Sequence, residues 1–87
     1  MDQLTVFSLY TNVILLQDLP EEEVYAGDIG SVVEHHFAPN QEPGCSVEFF
    51  DMLGNTVAVV TKPLRFFRSP TKRDRPAVRL AAESLKS

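Results

Sequence analysis

The first 61 residues contain neither lysine nor arginine. They contain ten acidic residues and therefore have a formal charge of −10. All eight basic residues lie from Lys62 onward, where only Asp74 and Glu83 oppose them, so residues 62–87 have a formal charge of +6. Such a division of charge predicts an electrostatic partner for one or both parts. A basic tail lying on its own acidic body, or on a neighbouring copy, would satisfy the same pattern without an outside ligand.

Cysteine and long apolar runs are also scarce. Cys45 is the single cysteine, which excludes an internal disulfide and is atypical of a small secreted domain. No apolar run is longer than residues 13–16, whereas a membrane span needs roughly 18 residues. The N-terminus has no basic segment ahead of an apolar stretch, so no secretory signal is expected. These absences predict a cytoplasmic protein that has no contact with a membrane.

Five short segments have the pattern of β-strands. The apolar block at 13–16 fits a strand covered on both faces, and residues 45–49 alternate at period two. β-Branched residues favour extended backbone in two further segments, and Pro63 separates the fourth segment from a short edge strand. The predicted strands are residues 13–16, 29–37, 45–49, 56–61 and 64–68.

The long connection after the first strand is acidic and ends in glycines. Pro20 suits the first turn of a short helix or a type I turn that Asp18 would cap. Three glutamates follow, and a solvated loop is the preferred interpretation of them. Gly27, Asp28 and Gly30 are interpreted as a structural turn, because glycine permits positive φ where the loop leads into the second strand.

Five strands within about 60 residues predict a mainly β protein. A sheet of this length hides its edges by closing, so we expect an SH3-like five-stranded barrel over residues 1–69, with an OB-type barrel as the second choice. Residues 70–87 form a basic C-terminal extension. Within it, residues 77–86 have helix-forming composition and an apolar stripe too thin for an isolated helix, so this segment either docks or frays.

Several motifs resemble a family of short bacterial proteins. The most specific are Asp-Leu-Pro at residues 18–20 and Gly-Asp-Ile-Gly at residues 27–30. With the segments at 12–17, 31–34, 47–49 and 56–61, they resemble the domain-of-unknown-function family numbered 4926 over roughly residues 8–68. The resemblance implies a small SH3-like β-barrel. It implies no activity, substrate or catalytic residue, and the basic extension lies outside the shared pattern.

Catalytic and metal-binding patterns have little support. Cys45 with His35 or His36 is the only candidate pair of nucleophile and base, and a cysteine on an alternating strand usually packs as a small hydrophobe. Adjacent histidines on a strand point to opposite faces, so they cannot bind one metal ion together unless a bulge turns one of them round. The glycines have neither the spacing nor the following helix of a nucleotide-binding loop. We therefore expect no enzyme, no metal and no cofactor.

Two functions remain open. The first is a non-enzymatic protein-interaction module that forms a homo-oligomer, joined by the tail because its charge complements that of the body. The second is a nucleic-acid-binding module that acts through the basic C-terminal segment, with Phe66 or Phe67 as a stacking surface; the acidic body opposes it by repelling phosphate. The candidate partner-binding residues are Glu21, Glu22, Glu23, Arg65, Arg68, Lys72, Arg73 and Arg75, and the nucleic-acid alternative adds Lys62 and Arg79.

Overall fold

A computed structural model describes residues 6–75 of the chain. These residues form one five-stranded antiparallel sheet with the order β4-β3-β2-β1-β5. Its strands are β1 (Asn12–Leu15), β2 (Ile29–His36), β3 (Gly44–Phe50), β4 (Thr56–Pro63) and β5 (Phe67–Arg68). A 3-10 turn, Pro20–Glu22, lies between β1 and β2, and a second, Leu64–Phe66, joins β4 to β5. The prediction of a mainly β fold with five strands is confirmed.

The first strand lies between two others. Ile14 is opposite Ile29 of β2 on one side and Arg68 of β5 on the other. Val13, Ile14 and Leu15 are all buried, so both faces of β1 are covered. A strand in this environment has no polar face, and this explains why its sequence is a continuous apolar run.

The sheet is not closed into a barrel, and this part of the prediction was wrong. β4 and β5 are the two edges, and no backbone pairing joins them within residues 6–75. Pro63 ends β4, and the chain then enters a 3-10 turn through most of the segment predicted as a strand at 64–68. Only Phe67 and Arg68 remain extended, and they pair with β1 at the edge of the sheet opposite β4.

The core lies on one face of the sheet. Phe67 belongs to it, whereas Phe66 is only partly buried against it, so only one of the two adjacent phenylalanines is a core residue. Residue burial is strongest on β1 and β3, whose sequences are more apolar than that of β2, the third strand with neighbours on both sides. The buried cluster contains Val13, Leu15, Leu19, Val24, Val32, Cys45, Val47, Phe49, Val60 and Phe67.

The two glycines at the start of β2 have different physical roles. Gly27 has a φ of 96°, a backbone conformation that side chains rarely adopt. Gly30 does not have positive φ, so the reason given for it from the sequence was wrong. A Cβ atom there would overlap Val47 Cγ1 and lie 3.0 Å from the carbonyl oxygen of Glu48. Gly30 is required because β3 approaches it closely.

Candidate functional site

The acidic loop between β1 and β2 is exposed. Glu21 and Glu22 lie on the 3-10 turn, and Glu23 follows it in the left-handed region with a φ of 63°. Backbone bonds between Leu19 and Val24, both buried, close the loop beneath them. Asp18 does not cap the turn as expected: its Oδ1 accepts a hydrogen bond from the Ala26 amide at 3.0 Å. It therefore fixes the far end of the loop.

Asp28 is part of the turn that leads into β2. Its carboxylate accepts a hydrogen bond from the Tyr25 amide at 2.9 Å, and its own amide donates to the Tyr25 carbonyl at the same distance. The Gly27 amide and the Asp28 carbonyl bond to Leu15 of β1. This arrangement ties the loop to the central strand. The Gly27–Asp28 turn therefore positions strands.

The basic residues near β5 lie in three different environments. Arg65 Nε donates to Glu42 Oε2 at 2.9 Å, and both side chains are about half exposed, so the pair contributes little to stability. Arg68 pairs with Asp74, the acid within its own segment. Lys72, Arg73 and Arg75 are exposed. Arg79 and the predicted helix at 77–86 lie outside the described residues.

A bidentate ion pair fixes the start of the basic extension. Arg68 Nη1 and Nη2 donate to the two carboxylate oxygens of Asp74 at 2.9 and 2.8 Å. The amide and hydroxyl of Thr71 donate to the same carboxylate. These donors hold the pKa of Asp74 well below its ordinary value of 3.8, with the Arg68 hydrogen bonds as the largest cause. The carboxylate also raises the pKa of Arg68.

Lys62 and Arg65 lie beside one aromatic ring. Lys62 Nζ is 5.7 Å from the centroid of the Phe66 ring, and Arg65 Cζ is 5.1 Å from it. Both distances are within the range of a cation–π contact. Phe67 is buried, so of the two phenylalanines proposed for stacking only Phe66 has surface to offer.

A hydrogen-bonded row crosses three strands on the face opposite the core. His36 Nε2 is 2.8 Å from Ser46 Oγ, which is 2.7 Å from Thr61 Oγ1. Glu34 Oε1 lies 3.7 Å from the same histidine nitrogen. A catalytic triad needs the carboxylate on the other ring nitrogen, so this row is not one. Ser46 is buried and the row satisfies its hydroxyl. Sequence reasoning missed it, although the hairpin register places Ser46 opposite Thr61.

The candidate catalytic pair is not assembled. Cys45 is fully buried, and burial raises the pKa of its thiol above the ordinary value of 9.0. His35 lies opposite it on β2, but its Nε2 is 2.5 Å from the carbonyl oxygen of Phe7 and donates to it. The bulge between Val32 and Glu34 precedes the histidines and does not bring their contacts together. Among residues 6–75, no group of three side chains could hold a metal ion.

The long edge of the sheet carries an exposed apolar surface. Within the described chain, β4 pairs only with β3. Val57 and Val59 of this strand are about half exposed, and the hairpin before it presents Met52 and Leu53 almost completely to solvent. Phe50, at the end of β3, extends the same surface. We call Phe50, Met52, Leu53, Val57 and Val59 the edge patch. The apolar run at 57–60 is the sequence feature that could have indicated this patch, but a closed barrel, as expected from the sequence, would have covered it.

These features define a small, open β-sheet protein whose most distinctive surface is an apolar edge. The chain belongs to the family described as a domain of unknown function (DUF4926), which it matches over residues 9–65. This confirms the resemblance seen in its motifs. No curated protein matches the chain, and no solved structure does. The matched region contains the acidic loop and the edge patch and ends before Arg68. Within residues 6–75, no helix is long and apolar enough to cross a membrane.

Proposed function

We propose that the protein is a non-enzymatic protein-interaction module that associates with another copy of itself. The observation that carries this proposal is the edge patch. A sheet edge presents backbone donors and acceptors that can pair with another strand, and native proteins usually protect such edges with charges or prolines. β4 has eight residues, and only Lys62 and Pro63 at its end are of this protective kind.

The composition of the patch supports association through apolar burial. Met52 is 75% exposed and Leu53 is 87% exposed, although both are large apolar side chains. The hairpin that carries them leads directly into β4, the unpaired strand, on which Val57 and Val59 are about half exposed. Contiguous apolar surface next to an open edge is typical of interaction sites.

The environments of Cys45 and Ser46 support the non-enzymatic part of the proposal. Cys45 is buried with a raised thiol pKa, and Ser46 is buried within its hydrogen-bonded row. A nucleophile in catalysis needs access to substrate and a base that a third group orients. A fluorophosphonate probe is therefore expected to leave Ser46 unlabelled in the native protein. Labelling at Ser46 would contradict this part of the proposal.

In this proposal the fold is an open variant of an SH3-like arrangement. Two features support it: the last strand pairs with the first, and a 3-10 turn precedes the last strand. The open edge is the consequence that matters for function, because β4 stays available for another chain.

A dilution series of the full-length protein followed by amide chemical shifts tests self-association. We expect concentration-dependent shifts concentrated in the hairpin and β4, with little change in the acidic loop. A matched pair of variants checks the assignment: Leu53→Ser should weaken the concentration dependence, and Phe37→Ser, which removes another exposed apolar side chain, should not. Shifts that do not depend on concentration would contradict self-association.

The second candidate is nucleic-acid binding through the basic C-terminal segment. It is supported by the cations beside Phe66 and by exposed Lys72, Arg73 and Arg75. The acidic body opposes it, because nine acidic side chains precede Lys62 within the described residues. Retention on immobilised DNA and RNA at low salt, with loss as salt rises, would support it. No retention at low salt would contradict it.

A further inference from the structure

We propose that β4 pairs antiparallel with β4 of a second copy, about a twofold axis that passes beside Val59, so that two sheets become one continuous sheet. This inference rests on the proposed self-association and names its interface. Each copy would use the same residues, as a twofold contact requires. The β4 edge is the place for it because β5, the other edge, has only two residues to pair.

The sequence of β4 restricts the register. Residues directly opposite each other in an antiparallel pair have side chains on the same face, whereas consecutive residues of one strand point to opposite faces. A twofold axis between two residues would place consecutive residues opposite each other. The axis must therefore lie at a residue. Pro63 has no amide hydrogen, and a bulge in the β3–β4 ladder separates Thr56 from the regular part of the strand, so residues 57–62 are the stretch available for pairing. The two central residues are Val59, which is 53% exposed, and Val60, which is buried, so an axis beside Val59 is the one that covers an exposed side chain. The two Val59 side chains would then cover each other, with Val57 opposite Thr61.

Charge favours an antiparallel pair of identical strands. The strand is uncharged from Thr56 to Thr61 and has Lys62 at its end. Glu48 is opposite Val59 on β3, but its carboxylate reaches Thr56 at the beginning of β4 and accepts a hydrogen bond from it, and Asp51 lies in the hairpin just before. Neither acid has an ion-pair partner among residues 6–75. Antiparallel pairing brings each acidic beginning beside the partner's Lys62 and keeps the two lysines roughly 20 Å apart.

The same register accounts for the exposed hairpin. If the β4–β4 register continues a few residues beyond the strand, the hairpin tip with Met52 and Leu53 lies beside the 3-10 turn Leu64–Phe66 of the second copy. Leu64 and Phe66 are partly buried apolar side chains with area left to cover. The contact would then extend beyond the backbone ladder, because the tip of each copy covers the turn of the other.

Single-cysteine variants of the full chain test the register. Opposed residues in an antiparallel pair have Cα atoms about 4.5–5.5 Å apart, within disulfide range. Val59→Cys is expected to form a disulfide-linked dimer in mild oxidant. Val57→Cys is the matched control, because two copies of residue 57 would be about 13 Å apart along the strands. Cys45 is buried and should not react. Efficient linkage of Val57→Cys, or none of Val59→Cys, would overturn the register.

Charge reversal tests the axis independently. Val59→Lys and Val59→Glu should each halve the mass that light scattering reports for the associated protein, because each puts two like charges face to face. Mixed in equal amounts, the two variants should recover the dimer. Leu9→Lys, which adds the same charge at an exposed residue outside the sheet, should remain dimeric. Circular dichroism establishes that each variant is folded, and failure of two folded variants to associate on mixing would overturn the inference.

Two outcomes separate this inference from the broader proposal. If amide shifts still depend on concentration but map away from β4, self-association stands and the β4 interface is wrong. The alternative interface is the basic C-terminal extension. Replacing Lys72, Arg73 and Arg75 by glutamine should leave the dimer intact, since the exposed arginines and lysine take no part in the β4 register. If that variant lost the dimer while Val59→Lys remained dimeric, the dimer interface would be the C-terminal extension and not β4.

Discussion

Gly30→Ala is the substitution that best tests the packing of the sheet. Gly30 lies on β2 between Val13 of β1 and Phe49 of β3. An added Cβ would overlap Val47 Cγ1 and lie 3.0 Å from both the Glu48 carbonyl oxygen and Phe49 Cδ1. Val47 is fully buried and Glu48 contributes a backbone atom, so neither neighbour can move aside easily.

The expected loss of stability follows from two opposing effects. Inserting an atom into a packed core costs about 1–3 kcal/mol, and rigid neighbours place this site near the upper part of that range. Replacing glycine also restricts the unfolded chain, which offsets about 0.4–1 kcal/mol. The net loss is about 2 kcal/mol, which corresponds to a fall in Tm of about 8–16 °C for a domain of this size.

Gly27→Ala is the matched control. Its φ of 96° strains any side chain, but nothing lies within 4 Å of the added Cβ. Strain of about 1–2 kcal/mol, offset in the same way as above, leaves a smaller loss of about 1 kcal/mol. Thermal and urea unfolding of the two variants should therefore rank Gly30→Ala as the less stable.

A second substitution identifies the cause. Val47→Ala removes the Cγ1 atom that the new Cβ would meet, so Gly30→Ala should cost less in a Val47→Ala background than in the native protein. We expect the loss in free energy of unfolding of the double variant to be about 1 kcal/mol smaller than the sum of the losses of the two single variants. Additive losses, or a Gly30→Ala variant as stable as Gly27→Ala, would refute the close-approach explanation.

Three further predictions follow from the side chains. Arg68 lowers the pKa of Asp74, so the ion pair stabilises the fold above the ordinary pKa of 3.8, and this contribution is lost as the pH falls from 3.8 through the lowered pKa. Arg68→Lys should therefore raise the pKa of Asp74 in a carboxyl NMR titration. An unchanged pKa would exclude the bidentate pair as the cause of the shift. The Cys45 thiol is buried with a raised pKa, so Ellman's reagent should react with it only when denaturant unfolds the protein, and rapid native reaction would contradict its burial. Asp51 bonds the amides of Leu53 and Asn55, so Asp51→Ala should lower the Tm whereas Met52→Ala in the same loop should not; equal effects would mean that the carboxylate does not stabilise the hairpin.

The sequence predicted most of the strands because their environments are locally encoded. A run without a polar residue at Val13 to Leu15 predicted a strand covered on both faces, and the β-branched residues at 56–61 predicted an extended strand. Each of these inferences needed only a few consecutive residues.

The remaining features depend on contacts between distant residues. That β4 and β5 are the two separate edges of the sheet follows from the pairing of β3 with β4 and of β1 with β5, which joins residues far apart in the chain. The row from His36 to Thr61 exists only when the register of three strands is known. Gly30 is a further example, because a glycine can be required either by a positive φ or by a close neighbour, and the sequence alone does not distinguish these two reasons.

The strand order has a consequence for the spatial distribution of charge. Because β5 pairs with β1, the basic extension starts at the edge of the sheet opposite β4, about 19 Å away along the sheet. Arg68 and Asp74 fix that starting point. In a pair joined at β4, the two extensions would begin at the far ends of the combined sheet, about 43 Å apart when measured along the sheet. The assembly would then be a spacer with a cationic segment at each end, and the width of the sheet would set the distance between two anionic sites that it could bridge.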